Sequence, residues 1–157
     1  MPRITPNLWF DTNGREAAEF YCSVFPNSEI KHVSYYGEAG PRAAGEVLTV
    51  EFTLDGQEFV AINGGPEFTF DEAVSFQIDC ADQEEVDYYW GKLSEGGEEG
   101  PCGWLKDRYG LSWQVVPQAL LDLLKDPDEG RAQRAMTCML GMKKIDVAEL
   151  YEAAGQA

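Results

Sequence analysis

A short apolar run bounded by polar residues, 7–11 (NLWFD), reads as a strand, and apolar and polar positions trade places in a different rhythm after it. They then recur every three or four residues through 13–25 (NGREAAEFYCSVF), the period of a helix. Asn13 stands where an N-cap belongs, Glu16 follows three residues on in a capping-box arrangement, and Ala17, Phe20, Tyr21, Val24 and Phe25 make the apolar stripe. The turn FPNSE ends that helix. Strand patterns follow at 29–36 (EIKHVSYY), 46–54 (EVLTVEFTL) and 58–63 (EFVAIN), the last two joined at Asp55-Gly56, a tight-hairpin pair.

After GGPEFTFDEA the order begins again, with a strand at 74–80 (VSFQIDC) and a helix at 82–97 opened by Asp82 and Glu85. CGWLKD and LSWQVVP then flank a turn at RYG. Sliding the chain by 68 positions lays Asp79 on Asp11, Glu84 on Glu16, Tyr88 on Phe20, Tyr89 on Tyr21 and Leu93 on Phe25. Sliding it by 54 lays Gly110 on Gly56, Trp113 on Phe59 and Val116 on Ile62. The repeated order of elements, more than the letters, argues for duplication of one β-α-β-β-β unit. Residues 98–117 must fit into 20 positions what the first unit spreads more widely, so one strand of the second unit is expected to be vestigial.

From Gln118 the pattern is helical. QALLDLL is followed by DPDEGRAQRAMTCMLG, with Asp126 as cap, Pro127 at the first helical position, Glu129 closing a box and Gly141 as terminator. DVAELYEAAG repeats the device with Asp146 and Glu149. Met136, Met139, Leu140, Ile145, Val147 and Leu150 form an apolar face expected to pack on the body of the protein or across a dimer. The expected class is α+β: tandem βαβββ units with a C-terminal helical extension. One domain (1–157) is expected, made of unit 1 (4–66), unit 2 (74–117) and a helical tail (118–155). The glycines of NGGP (63–66) lead into EFTF rather than a helix and lack a Walker pattern, so they read as the hinge between units and not as a phosphate loop.

Charge narrows the partners. The 28 acidic and 12 basic residues give a net charge of −16, which repels phosphates and argues against nucleic acid or an anionic membrane as partner. The start, MPRITPNLWF, has no apolar core of an export signal, and no apolar run approaches a membrane span, so a cytoplasmic location is expected. Cys22, Cys80, Cys102 and Cys138 show no CxxC spacing and are expected to be reduced thiols.

The segments WFDTNGREAAEFYCSVFPNSEI, DGQEFVAINGGPEFTF, VSFQIDCADQEEVDYYWGKLSEGG and CGWLKDRYGLSWQVVPQAL together resemble the PhnB-like, 3-demethylubiquinone-9 3-methyltransferase-like branch of the vicinal oxygen chelate superfamily. RAMTCMLGMKKIDVAEL resembles the helical tail common in that branch. The resemblance implies a sheet curled into a half-closed cup in each unit, small molecules bound inside the cups, and commonly a homodimer. It also implies one divalent metal held by His and Glu from the first and last strands of each unit. At about those places this chain offers Pro6, Asn7, Ser75 and Gln77, and Val60, Ile62 and Gln114; its one histidine, His32, lies on a second strand. Amides and a single imidazole do not make a divalent-metal site, so neither a metal nor another cofactor is expected. Nor does any glycine-rich turn between a strand and a helix, with an acidic residue at the next strand's end, mark a place for a methyl donor.

Strand alternation puts Ser75, Gln77 and Asp79 on one face, opposite Phe76, Ile78 and Cys80, and separates Ser112, Gln114 and Val116 from Leu111, Trp113 and Val115. A covering helix would take the apolar faces. Ser75, Gln77, Gln114 and Asn63 then either line a pocket, suited to orienting an uncharged or zwitterionic ligand, or face solvent and each other across strands. Cys102, between Pro101 and Gly103 with Lys106 and Arg108 nearby, is the candidate catalytic thiol, with a structural or pocket-lining thiol as the alternative. Trp104 is placed at a pocket rim, Trp113 in the core, and Gly103 where a ligand or a neighbouring backbone comes close. Three functions stay open: a metal-free small-molecule-binding protein, an enzyme acting through Cys102 or the amides, and a helper subunit docking through its last helices.

Overall fold

The computed structural model describes residues 2–155, which fall into two compact units, Met1–Phe70 and Asp71–Ala157. In the first, β1 (Asn7–Phe10) leads into α1 (Gly14–Val24), followed by β2 (Glu29–Tyr35), β3 (Val47–Leu54) and β4 (Gln57–Asn63). In the second, β5 (Ser75–Cys80) leads into α2 (Gln83–Ser94), followed by β6 (Glu98–Glu99), β7 (Trp104–Lys106) and β8 (Ser112–Pro117). The sheets run β1-β4-β3-β2 and β5-β8-β7-β6, the same order with the first and last strands parallel. The expected duplication is therefore present strand for strand, and the expected vestigial strand is β6, two residues long.

Each helix covers one face of its own sheet. Ala17, Ala18, Tyr21 and Val24 of α1 are buried with Leu8, Phe10, Val50, Phe52, Phe59 and Ala61, and Phe52 stacks between Tyr21 and Phe59. Val86, Trp90 and Leu93 of α2 are buried with Cys80, Leu105, Trp113 and Val115. That burial supplies most of the hydrophobic stabilisation. The opposite sheet faces carry the polar alternates, Asn7, Thr49 and Glu51 in one unit and Ser75, Gln77 and Gln114 in the other.

Local chemistry corrects two expectations and adds to a third. Asn13 occupies the N-cap position of α1 but makes no side-chain cap. Instead Asn63, at the end of β4, accepts the Gly14 N–H at 2.8 Å. Its amide nitrogen donates to Thr12 O and Val47 O, both at 3.2 Å, so Asn63 fastens strand to helix. Gly14 is required there, because a Cβ would stand 2.7 Å from Asn63 Oδ1. Gly64 is likewise more than a hinge residue: a Cβ would come within 2.3 Å of the Trp9 ring, whose Nε1 donates to Gly65 O at 2.9 Å.

The second correction lies in the tail of α3 (Gln118–Leu124), α4 (Glu129–Leu140) and α5 (Val147–Ala154). Asp128, not Asp126, caps α4, accepting from Gly130 and Arg131 N–H, while Asp126 accepts from Asp128 N–H and binds Arg131 Nε at 2.9 Å. The tail packs within the second unit: Val116, Leu120, Leu123, Ala135, Met142, Ile145, Leu150 and Ala154 form one buried cluster. No helix among the described residues is long and apolar enough to cross a membrane.

Candidate functional site

The second unit holds a cavity of about 440 Å³, within the size range of small-molecule pockets. Register explains its wall. Antiparallel pairing sets Trp104 opposite Gln114 and Lys106 opposite Ser112, so these four side chains share the sheet face that α2 leaves uncovered. Trp104, Lys106 and Ser112 line the cavity, with Cys102, Pro101 and Glu72, Glu98 and Glu99 closing its sides.

Ser112 is the most unusual member. It is fully buried, and its Oγ has no hydrogen-bond partner among the described residues. Buried hydroxyls are ordinarily paired, and an unpaired one is costly. Lys106 binds Glu72 at 3.0 Å, and this hydrogen bond holds its ammonium above the usual lysine range. Glu99 accepts the Trp90 indole N–H at 3.1 Å.

The Cys102 loop is held from outside its own strands. Cys102 takes a left-handed backbone, φ +58°, that a non-glycine residue rarely adopts. Its N–H donates to Met142 O at 2.7 Å and the Gly103 N–H to Lys143 O at 2.8 Å, tying the loop to the α4–α5 connection. Gly103 meets a neighbouring backbone: a Cβ would lie 2.9 Å from Val115 O and 3.2 Å from Ile145 Cγ1. Gln83, at the start of α2, grips the far end of the same connection. Its Nε2 donates to Ile145 O at 3.0 Å and its Oε1 accepts the Val147 N–H at 2.7 Å.

The structure thus brings Cys102 and Trp104 together and distributes the other candidates. Gln114 donates to Ser75 Oγ at 2.9 Å, and the exposed Gln77 donates to Asp79 Oδ1 at 2.7 Å; both amides stand on the uncovered face, outside the cavity lining. Asn63 belongs to the first unit and is committed to backbone partners. Trp113 is core, its indole N–H bonded to the buried Asp107 at 2.9 Å. Ser112 stands out in the alternation beside Gln114, but its lack of a partner is a tertiary fact. Glu72, Glu98 and Glu99 carry no sequence signal, because loop and vestigial-strand geometry brings them together.

At the metal positions implied by the resemblance, the donors are of the wrong type. Where first and last strands pair, Asn7 meets Val60, Ser75 meets Ser112 and Gln77 meets Gln114. Amides, hydroxyls and an aliphatic chain do not fit a divalent cation. His32 stands opposite Glu51, and among the described residues no group of three or more His, Cys, Asp or Glu side chains is placed to hold a metal.

Tandem βαβββ units with this strand order place the protein in the vicinal oxygen chelate superfamily. Residues 2–116 match the 3-demethylubiquinone-9 3-methyltransferase family, and the chain belongs to that PhnB-like family. It is similar to a PhnB protein from Bacillus cereus, provisionally named a 3-demethylubiquinone-9 3-methyltransferase: 38% identity over 74% of this chain and 99% of that one, TM-score 0.66. A Pseudomonas aeruginosa protein shares the fold at 20% identity over 74% of this chain and 98% of its own, TM-score 0.62. So does a fosfomycin resistance protein from Listeria monocytogenes, at 21% identity over 80% and 98%, TM-score 0.52. No curated protein matches the sequence.

Proposed function

We propose that the protein binds a small organic molecule in the second-unit cavity, without a resident metal. The observation that carries this reading is the cavity itself, about 440 Å³ with an apolar wall and a few polar groups around it, as small-molecule sites are built. Trp104 supplies a flat apolar wall, Cys102 and Pro101 a rim, and the Ser75–Gln114 pair extends the polar face beyond the lining. A thermal-shift screen of metabolites and divalent ions tests it. A ligand present at 100 times its Kd stabilises by roughly 2.7 kcal/mol. Stabilisation by an organic compound, lost in Trp104→Ala, supports the reading; strong stabilisation by nickel, zinc or manganese instead contradicts it.

A second reading has Cys102 act chemically on the bound molecule. It rests on the thiol's place in the lining and on its left-handed backbone, since such outliers gather at functional positions. Under this reading Cys102→Ser retains binding of a screened compound but no longer consumes it. The helper-subunit reading has less to rest on, because Ile145 and Leu150 are spent inside the second unit, although Leu140 stays exposed. Pairing with a second copy, implied by the resemblance, is proposed as the solution state and is tested by sedimentation equilibrium.

A further inference from the structure

Building on the binding reading above, we infer that the cavity takes an organic cation: a compact aromatic or aliphatic body carrying an ammonium group. The wall sets three carboxylates, Glu72, Glu98 and Glu99, against one ammonium, Lys106, an excess of two negative charges. Lys106 is already paired with Glu72 at 3.0 Å. An entering anion would have to displace Glu72 and then face Glu98 and Glu99. The Trp90 indole N–H holds the Glu99 carboxylate in place without neutralising its charge. Glu98 stands opposite Lys106 in the β6–β7 register and feels its charge, but the short contact of Lys106 is with Glu72 and Glu98 is exposed, so a ligand's cation can reach it.

One further group selects the same chemistry. The half-buried Trp104 presents an indole, the aromatic ring that cations favour most. A neutral molecule would cover Trp104 but leave the excess charge unmatched. The net charge of −16 draws cations toward the whole molecule as well.

The test compares phenethylamine, 3-phenylpropanamide and 3-phenylpropanoate, similar bodies with positive, zero and negative charge, by calorimetry at low salt. Phenethylamine is expected to bind tightest and the carboxylate weakest, with the amine's advantage shrinking as salt is added. Glu98→Gln, at an exposed position, is expected to weaken the amine by about two- to fivefold while leaving the amide unchanged. Trp104→Ala is expected to weaken both. The inference is overturned if the carboxylate or the amide equals the amine, if Glu98→Gln leaves the amine unaffected, or if none of the three binds. Binding of the amide or carboxylate that Trp104→Ala abolishes would refute the cationic class yet leave the cavity reading intact. Loss of both readings requires that the metabolite screen also yield no compound sensitive to Trp104→Ala.

Discussion

An enclosed hydroxyl with no partner costs roughly 1–3 kcal/mol relative to one left in water, and Ser112 bears that cost in the middle of a well-packed sheet. Ser112→Ala is therefore expected to leave the melting temperature unchanged or raise it by a few degrees. A marked loss of stability would mean that the hydroxyl has a structural partner. Alternation within LSWQVVP is enough to put Ser112 and Gln114 on one face, and the same rule correctly separates Trp113 for the core. Asn63 shows where that rule stops. Period places a side chain on a face, but which backbone groups await it depends on α1 and β3, far away in sequence.

Between elements, one glutamine does unusual duty. Gln83 pairs with the backbone on both sides of Asp146, and this connection in turn holds the Cys102 loop through Met142 and Lys143. The family match ends at residue 116, so the cavity rim leans on a segment beyond it. Gln83→Ala removes three hydrogen bonds, to Ile145 O, Val147 N–H and the exposed Asp87 carboxylate, and strips a partner from the first N–H of α5, with an expected loss of about 1–2 kcal/mol. It should also speed alkylation of Cys102 as the loop loosens; unchanged labelling would show that the loop stands on its own. Two of the four expected helix caps are legible in the sequence, Asp82 and Asp146, which accept the Glu85 and Glu149 N–H as their spacing implies. The α4 cap slips by two residues because Asp126 and Asp128 offer the same signal, and Arg131 draws Asp126 away from the helix end.

Across the whole molecule, ionisation sets the pH limits of stability. Hydrogen bonds from Lys144 and Gln83 hold Asp87 below its ordinary value of 3.8, and the Asp128 N–H and Arg131 do the same for Asp126. Carboxyls lowered by folding stabilise fully above their unfolded values and lose that contribution as pH falls through the lowered ones. At the other end, burial first, then Glu85, Asp79 and Asp82, push the Cys80 thiol up to about 12. Burial, followed by neighbouring carboxylates, also raises Cys22 and Cys138. Unfolded thiols release protons near 9 while folded ones hold them, so stability should fall as pH rises above 9. Urea midpoints that stay flat between about pH 9 and about pH 11 would contradict this, and Cys80→Ala should blunt the alkaline loss.

The duplicated architecture is legible because local signals recur. Gly56 and Gly110 turn the equivalent hairpins with φ of +84° and +88°, and Phe59 and Trp113 fill equivalent core places. The cavity is only half legible, because Trp104 and Cys102 advertise themselves while three glutamates meet there through folding alone. Amide chemical-shift mapping tests the central claim most directly, using the compound that stabilises the protein most in the thermal screen. The expected result is perturbation of Glu99, Gly100, Cys102, Trp104, Lys106 and Ser112, including the Trp104 indole N–H. Perturbations confined to the Met1–Phe70 unit, or to the helices of the tail, would contradict it.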